Sequence, residues 1–101
     1  MVFFAITANA ELIFRHTQTV CNRTGERLVF KRDGTFEVWQ DDVLQNSGTY
    51  DIEGDNYDVI IITVADDNGD PIELRCRAST EGGQTLMYIV FQNTTYNPNN
   101  C

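Results

Sequence analysis

The sequence predicts an all-β fold: an antiparallel meander of about eight strands closing into a small barrel. Three observations carry this expectation. The stretch from Leu28 to Asp55 alternates with a period of two. Leu28 and Phe30 fall on one face and Val29 on the other; past Arg32-Asp33-Gly34, Phe36 and Val38 alternate with Thr35, Glu37 and Trp39. Such alternation, punctuated by Gly, Asn and Asp, marks antiparallel strands joined by hairpins. The connections are short, which pairs each strand with its neighbour in sequence. Finally, two segments are apolar on both faces. Tyr57, Val59, Ile61 and Thr63 oppose Ile60, Ile62 and Val64, while Met87, Ile89 and Phe91 oppose Leu86, Tyr88 and Val90. Burying one such aliphatic side chain is worth roughly 1.5–3 kcal/mol, so a second wet face is disfavoured. Closure is expected, because an open sheet would also expose two unpaired edges. Cover by the N-terminal segment or by a second subunit is the alternative, and a homodimer therefore stays open.

In chain order the candidate strands are Val2–Ala8, Glu11–Val20, Arg27–Lys31, Thr35–Gln40, Gly48–Ile52, Tyr57–Val64, Ile72–Ala78 and Thr85–Phe91. Val2–Ala8 is apolar and rich in residues that favour extended backbone. Ala8-Asn9-Ala10 resembles a small-x-small cleavage site, so a truncated export signal is the rival reading, although no basic n-region precedes it. The segment is too short to span a bilayer. Glu11–Val20 reads as a strand by Leu12, Phe14 and His16 against Ile13, Arg15 and Thr17, with a short helix over Ala8–Arg15 as the alternative. Arg32–Gly34, Asp41–Ser47, Glu53–Asn56, Ala65–Pro71 and Ser79–Gln84 read as the connections.

The chain has 101 residues, 42% of them hydrophobic, and reads as one globular domain, 1–101. At this size roughly two-thirds of the unfolded surface is buried, enough for a core without a metal or disulfide framework. With 15 acidic against 7 basic residues and no basic stripe, the chain repels phosphate backbones, which argues against nucleic acid. Most acids sit in turns and serve solubility; a docking face for a basic partner is the sharper use of the same charge.

Cys21, Cys76 and Cys101 allow one disulfide and leave one thiol. Cys101 ends an Asn97-Pro98-Asn99-Asn100 tail expected to be irregular, and a bond would pin that tail to the body. Cys21, near a loop entrance, is the more accessible mate, so Cys21–Cys101 is expected ahead of Cys76–Cys101. Cys76 shares a face with Ile72, Leu74 and Ala78 and should point inward. A disulfide implies an oxidising compartment, hence a secreted, periplasmic or envelope location. Asn22-Arg23-Thr24 and Asn93-Thr94-Thr95 match the glycosylation acceptor pattern.

The run from Leu28 to Phe36, with its Phe30-Lys31-Arg32-Asp33-Gly34-Thr35-Phe36 hairpin, is followed by Gly48-Thr49-Tyr50-Asp51-Ile52-Glu53-Gly54-Asp55. Together they resemble small lipocalin-like barrels of bacterial envelopes, over Leu28 to about Val64. The resemblance extends loosely to the barrel domain of copper-sensing envelope lipoproteins, whose Cys-x-x-Cys pair is missing here. The Gly-x-Trp near a lipocalin N-terminus is also missing, with Trp39 lying later. The resemblance implies a lipocalin-like topology and no particular ligand.

Catalytic and metal chemistry find little support. His16 is the single histidine and has no Cys or second His at ligand spacing, whereas zinc needs three or four ligands. No nucleophile-elbow sequence surrounds Ser47, Ser79 or a Cys. Asp66-Asp67-Asn68-Gly69-Asp70 resembles part of a calcium loop but lacks the distal Glu, and Asn68-Gly69 is a hairpin turn. No Gly-rich loop leads into a helix to cradle phosphate, and no cofactor is implied. An eight-stranded barrel has room for its own side chains or one small ligand. The inward set reads as Leu28, Phe30, Phe36, Val38, Tyr50, Ile52, Val59, Ile61, Ile72, Leu74, Met87 and Ile89, bulky enough to favour a filled interior.

The function expected from this is a non-catalytic, exported binding module. It would hold a small apolar ligand against Phe30, Phe36, Val38, Tyr50, Ile61, Leu74 and Met87, or present its loops to a protein partner as lipocalin-like inhibitors do. The alternatives are a small enzyme using Glu37, Tyr50 and Tyr57 in the barrel mouth, and a structural oligomer.

Overall fold

The structure, a computed structural model, describes residues 12–101. Its strands are β1 (Gln18–Cys21), β2 (Glu26–Phe30), β3 (Thr35–Gln40), β4 (Val43–Glu53), β5 (Val59–Ala65), β6 (Pro71–Glu81), β7 (Thr85–Phe91) and β8 (Thr94–Tyr96). Each pairs antiparallel with the next, giving one eight-stranded sheet in sequence order. The sheet curls until its ends meet. Cys21 and Asn97 exchange backbone hydrogen bonds of 2.9 and 3.0 Å, and the Cys21–Cys101 disulfide lies beside that bridge. Further along the seam, Leu86 N–H donates to Gln18 Oε1 at 3.0 Å. The result is a nearly closed meander barrel. No helix among the described residues is long and apolar enough to cross a membrane.

Local chemistry sets the turns. Asp33 Oδ1 accepts from Thr35 N–H and Thr35 Oγ1 at 3.0 and 2.6 Å, and Gly34 takes φ 87°, a conformation glycine adopts without a Cβ penalty. Asp66 Oδ1 likewise accepts from the amides of Asn68 and Asp70. The Asp66–Asp70 stretch is therefore a turn that uses its first carboxylate to hold its own backbone.

Several sequence expectations need correction. Val2–Ala8 lies outside the described residues. Of Glu11–Val20, Glu11 is outside them, and regular strand begins only at Gln18. Residues 12–17 instead cross one end of the barrel. Leu12 O accepts from Ile52 N–H at 2.9 Å, and Phe14 is fully buried as a plug. Asp41–Ser47 is not a long loop: Asp41 and Asp42 have φ of 48° and 70°, a two-residue hairpin turn of the kind that matches strand twist, so β4 starts at Val43. The C-terminal tail is more regular than expected. Gln92 and Asn93, also with positive φ, turn the chain into β8. Beyond it Pro98–Asn100 forms a short 3-10 turn whose cap is the Asn97 side chain.

Three inward assignments, on two strands, also change. In β5 the buried residues are Ile60, Ile62 and Val64, so Val59 and Ile61 face out. Pairing decides it: Tyr50, which is buried, opposes Ile62 across the ladder. Outside, Val59 and Ile61 are half-buried between Glu53 and Asp51 on one side and Arg77 and Arg75 on the other, whose aliphatic stems can shelter them. In β7 a bulge shifts the phase. Tyr88 opposes Ser79 but Leu86 opposes Thr80, which leaves Met87 as the extra residue. Leu86, Ile89 and Phe91 therefore point in, and Met87 is 46% exposed.

Candidate functional site

The barrel interior is built from inward-phase residues of successive strands and is packed with rings. Phe14 stacks near Phe30 and Tyr50, with centroids 6.2 and 5.8 Å apart. Phe30 contacts Phe36 at 4.9 Å and Tyr50 at 5.2 Å. Phe36 meets Phe91 at 5.9 Å, and Phe91 meets Tyr96 at 6.1 Å. This chain of rings runs from the plugged end to the opposite mouth. Edge-on and tilted pairs at such separations add about 0.5–1.5 kcal/mol each beyond area burial.

Tyr50 anchors the plugged end. Its hydroxyl donates to Lys31 O at 2.7 Å and accepts from Phe14 N–H at 3.1 Å. Burial pushes its pKa up. The hydroxyl thus satisfies two backbone groups and holds the plug in place.

Of the residues expected to hold a ligand, Phe30, Phe36 and Tyr50 belong to the ring stack, and all three are buried. Val38 and Leu74 lie above it and line an open recess at the mouth. Ile61 and Met87 are on the outer wall, for the phase reasons given above, and do not join the others. The three residues weighed for catalysis are scattered. Glu37 is on the outer wall, bound to Lys31 Nζ and Trp39 Nε1 at 3.0 Å each; these partners, Lys31 foremost, hold its carboxyl below the usual range. Tyr50 is in the core. Tyr57 sits in the β4–β5 turn at the plugged end, packed against Gly83. Among the described residues no group of His, Cys, Asp or Glu is placed to hold a metal.

The mouth recess is an open concavity at the end of the barrel opposite the plug. It encloses about 500 Å³, with Val38, Val64, Leu74 and Phe91 beneath and Glu26, Asp66 and Asp67 among its walls. Two hairpins project past it. The register places Val43 opposite Gln40 and Ile72 opposite Val64, so both continue the inward-facing phase beyond the point where the barrel covers it. They are 60% and 41% exposed.

Comparison with protein-family models, with curated proteins and with solved structures finds no match. The site is therefore read from its own geometry.

Glu26 is the functional candidate that sequence reasoning missed. Placing the strand start at Arg27 hid the series Glu26, Leu28, Phe30, which continues the inward phase by one charged residue. Its Oε1 accepts from Asn22 Nδ2 and from the Tyr96 hydroxyl, both at 2.9 Å. Burial, then the bond to Glu26, pushes the Tyr96 hydroxyl pKa well above the usual phenol range. Asn22 is itself buried, and its Oδ1 accepts from the amides of Thr24 and Glu26. The wall carboxylate thus stands in a fixed hydrogen-bonded frame next to the Cys21–Cys101 clasp. Cys76 remains a free, buried thiol, its pKa pushed by burial to about 11.

Proposed function

We propose that this chain is a non-catalytic binding module, exported through an oxidising compartment, that offers the mouth of a side-chain-filled barrel to a protein partner. The observation that supports it is the contrast between the two parts of the barrel. Below the mouth, the inward phase is consumed by contacting rings. Above it, Val43 and Ile72 continue the same phase on projecting hairpins with nothing over them among the described residues. A small apolar molecule inside the barrel would have to displace Phe30, Phe36 and Tyr50. The Cys21–Cys101 bond accords with export. The lipocalin-like run from Leu28 to Val64 accords with loop-borne recognition by fold analogy alone.

The test compares wild type with the Val43→Glu/Ile72→Glu double variant, each immobilised and exposed to culture fluid of the source cells. The reading expects a protein retained by the wild type and released by the variant. Equal retention by both would refute it, as would oleate shifting the ring resonances of Phe30 and Phe36.

A further inference from the structure

The recess carries charge as well as an apolar floor, and the two together select an occupant. Resting on the reading of the mouth as a docking surface, we infer that it receives a peptide segment of a partner protein in which bulky apolar residues are flanked by Lys or Arg.

Val38, Val64, Leu74 and Phe91 form a floor that water solvates poorly, and Ile72 extends it outward. This requires an apolar side chain in the occupant. The walls add Glu26, Asp66 and Asp67, and among the described residues no Lys or Arg lines the recess. Glu26 Oε1 is committed to Asn22 and Tyr96, and Oε2 takes part in neither bond. Asp66 Oδ1 is used within its turn.

Three classes of segment can be weighed against this surface. A purely apolar one would press against the Glu26, Asp66 and Asp67 carboxylates and strip water from them without offering a cation, which is costly. An acidic one would bring like charge against three carboxylates between low-dielectric walls. A segment with both an apolar anchor and a cation meets the floor and the wall at once. The chain's net charge of −8 steers such a segment toward it.

The experiment titrates the ¹⁵N-labelled full chain with acetyl-Gly-Lys-Phe-Leu-Lys-Gly-amide and with the same peptide carrying Glu for Lys. The Lys peptide is expected to shift the amides of Val38, Val64, Leu74 and Phe91. Asp67→Lys should weaken it about tenfold, and added salt should weaken it further. Asp67 and Ile72 are exposed, so Asp67→Lys and Ile72→Ser should keep the wild-type melting temperature, while Ile72→Ser weakens both peptides. If the Glu peptide binds the mouth as tightly as the Lys peptide, the charge assignment is overturned and the mouth reading stands. If neither peptide at millimolar concentration moves the mouth amides, both are overturned.

Discussion

Replacing Cys101 with Ser isolates the clasp that closes the barrel. Cys101 is exposed, so the substitution opens no cavity, while its partner Cys21 stays buried in β1. The bond spans 80 residues, nearly the whole meander. Treating it as a constraint on the unfolded chain, a loop of that length is worth about 4.5 kcal/mol, toward the upper end of what native disulfides contribute. A domain of this size is stable by only roughly 5–15 kcal/mol, so Cys101→Ser should be folded but marginal. The melting temperature should fall by about 20–35 °C. The urea m-value should rise, because the uncrosslinked chain exposes more surface when unfolded. Locally, β1 meets the chain just past β8 through one backbone bridge between Cys21 and Asn97. Amide exchange at those two positions should therefore accelerate well before that of Leu28 or Ile62. The reasoning fails if Cys101→Ser and wild type share one urea midpoint in the absence of reductant. It also fails if the loss is large but the Cys21 and Asn97 amides stay protected.

Further predictions follow from other contacts. Gly48 lies in β4 where an added Cβ would overlap the Thr63 carbonyl oxygen, so Gly48→Ala should lower stability by about 1–3 kcal/mol, read by urea denaturation. Tyr50→Phe leaves Phe14 N–H without its partner and should cost about 1–3 kcal/mol, with the ring shifts of Phe14 broadening first. Glu37 has its carboxyl held below the usual range by Lys31 and Trp39. Its contribution is present above the unfolded-state value and lost as pH falls through the folded one, so Glu37→Gln should flatten the acid limb of a stability-pH curve. Cys76 behaves in the opposite sense. Its thiol is raised to about 11, so the stability it contributes at lower pH fades between its ordinary value and 11, and Cys76→Ala should remove that alkaline slope. In the native protein at pH 8, roughly the pKa of an unperturbed thiol, Cys76 should resist alkylation.

The alternation from Leu28 to Val38 told its face unambiguously, because Lys31, Glu37 and Thr35 break the apolar pattern. The rings of Phe30, Phe36 and Tyr50 were readable for that reason, and so was a filled interior. Val59 to Val64 carried no such marker: nearly every residue is apolar, and a one-residue slip exchanges the faces. Pairing with β4 resolved it in favour of Ile60 and Ile62. Met87 was unreadable because a bulge reverses parity without changing composition. β8 hid for another reason: three residues after a Gln92-Asn93 turn without glycine give neither length nor the usual turn signal. The mouth was the least legible part. Its walls come from β2 and from the turn between β5 and β6, and its key charge, Glu26, sits at a phase position where an apolar residue is the ordinary expectation. The Cys21–Cys101 pairing was legible, but its setting was not: Cys21 lies buried at the end of β1 rather than open at a loop entrance.

The account rests on a barrel whose interior is occupied by its own rings, which sends recognition to the mouth. Aromatic-edited NOE spectroscopy on the oxidised protein measures this directly. Cross-peaks should connect Phe14 to Phe30 and Tyr50, Phe30 to Phe36, Phe36 to Phe91, and Phe91 to Tyr96 without a break. Missing ring-to-ring peaks, with water or probe contacts to Phe30 and Phe36 in their place, would mean a hollow barrel and contradict the account.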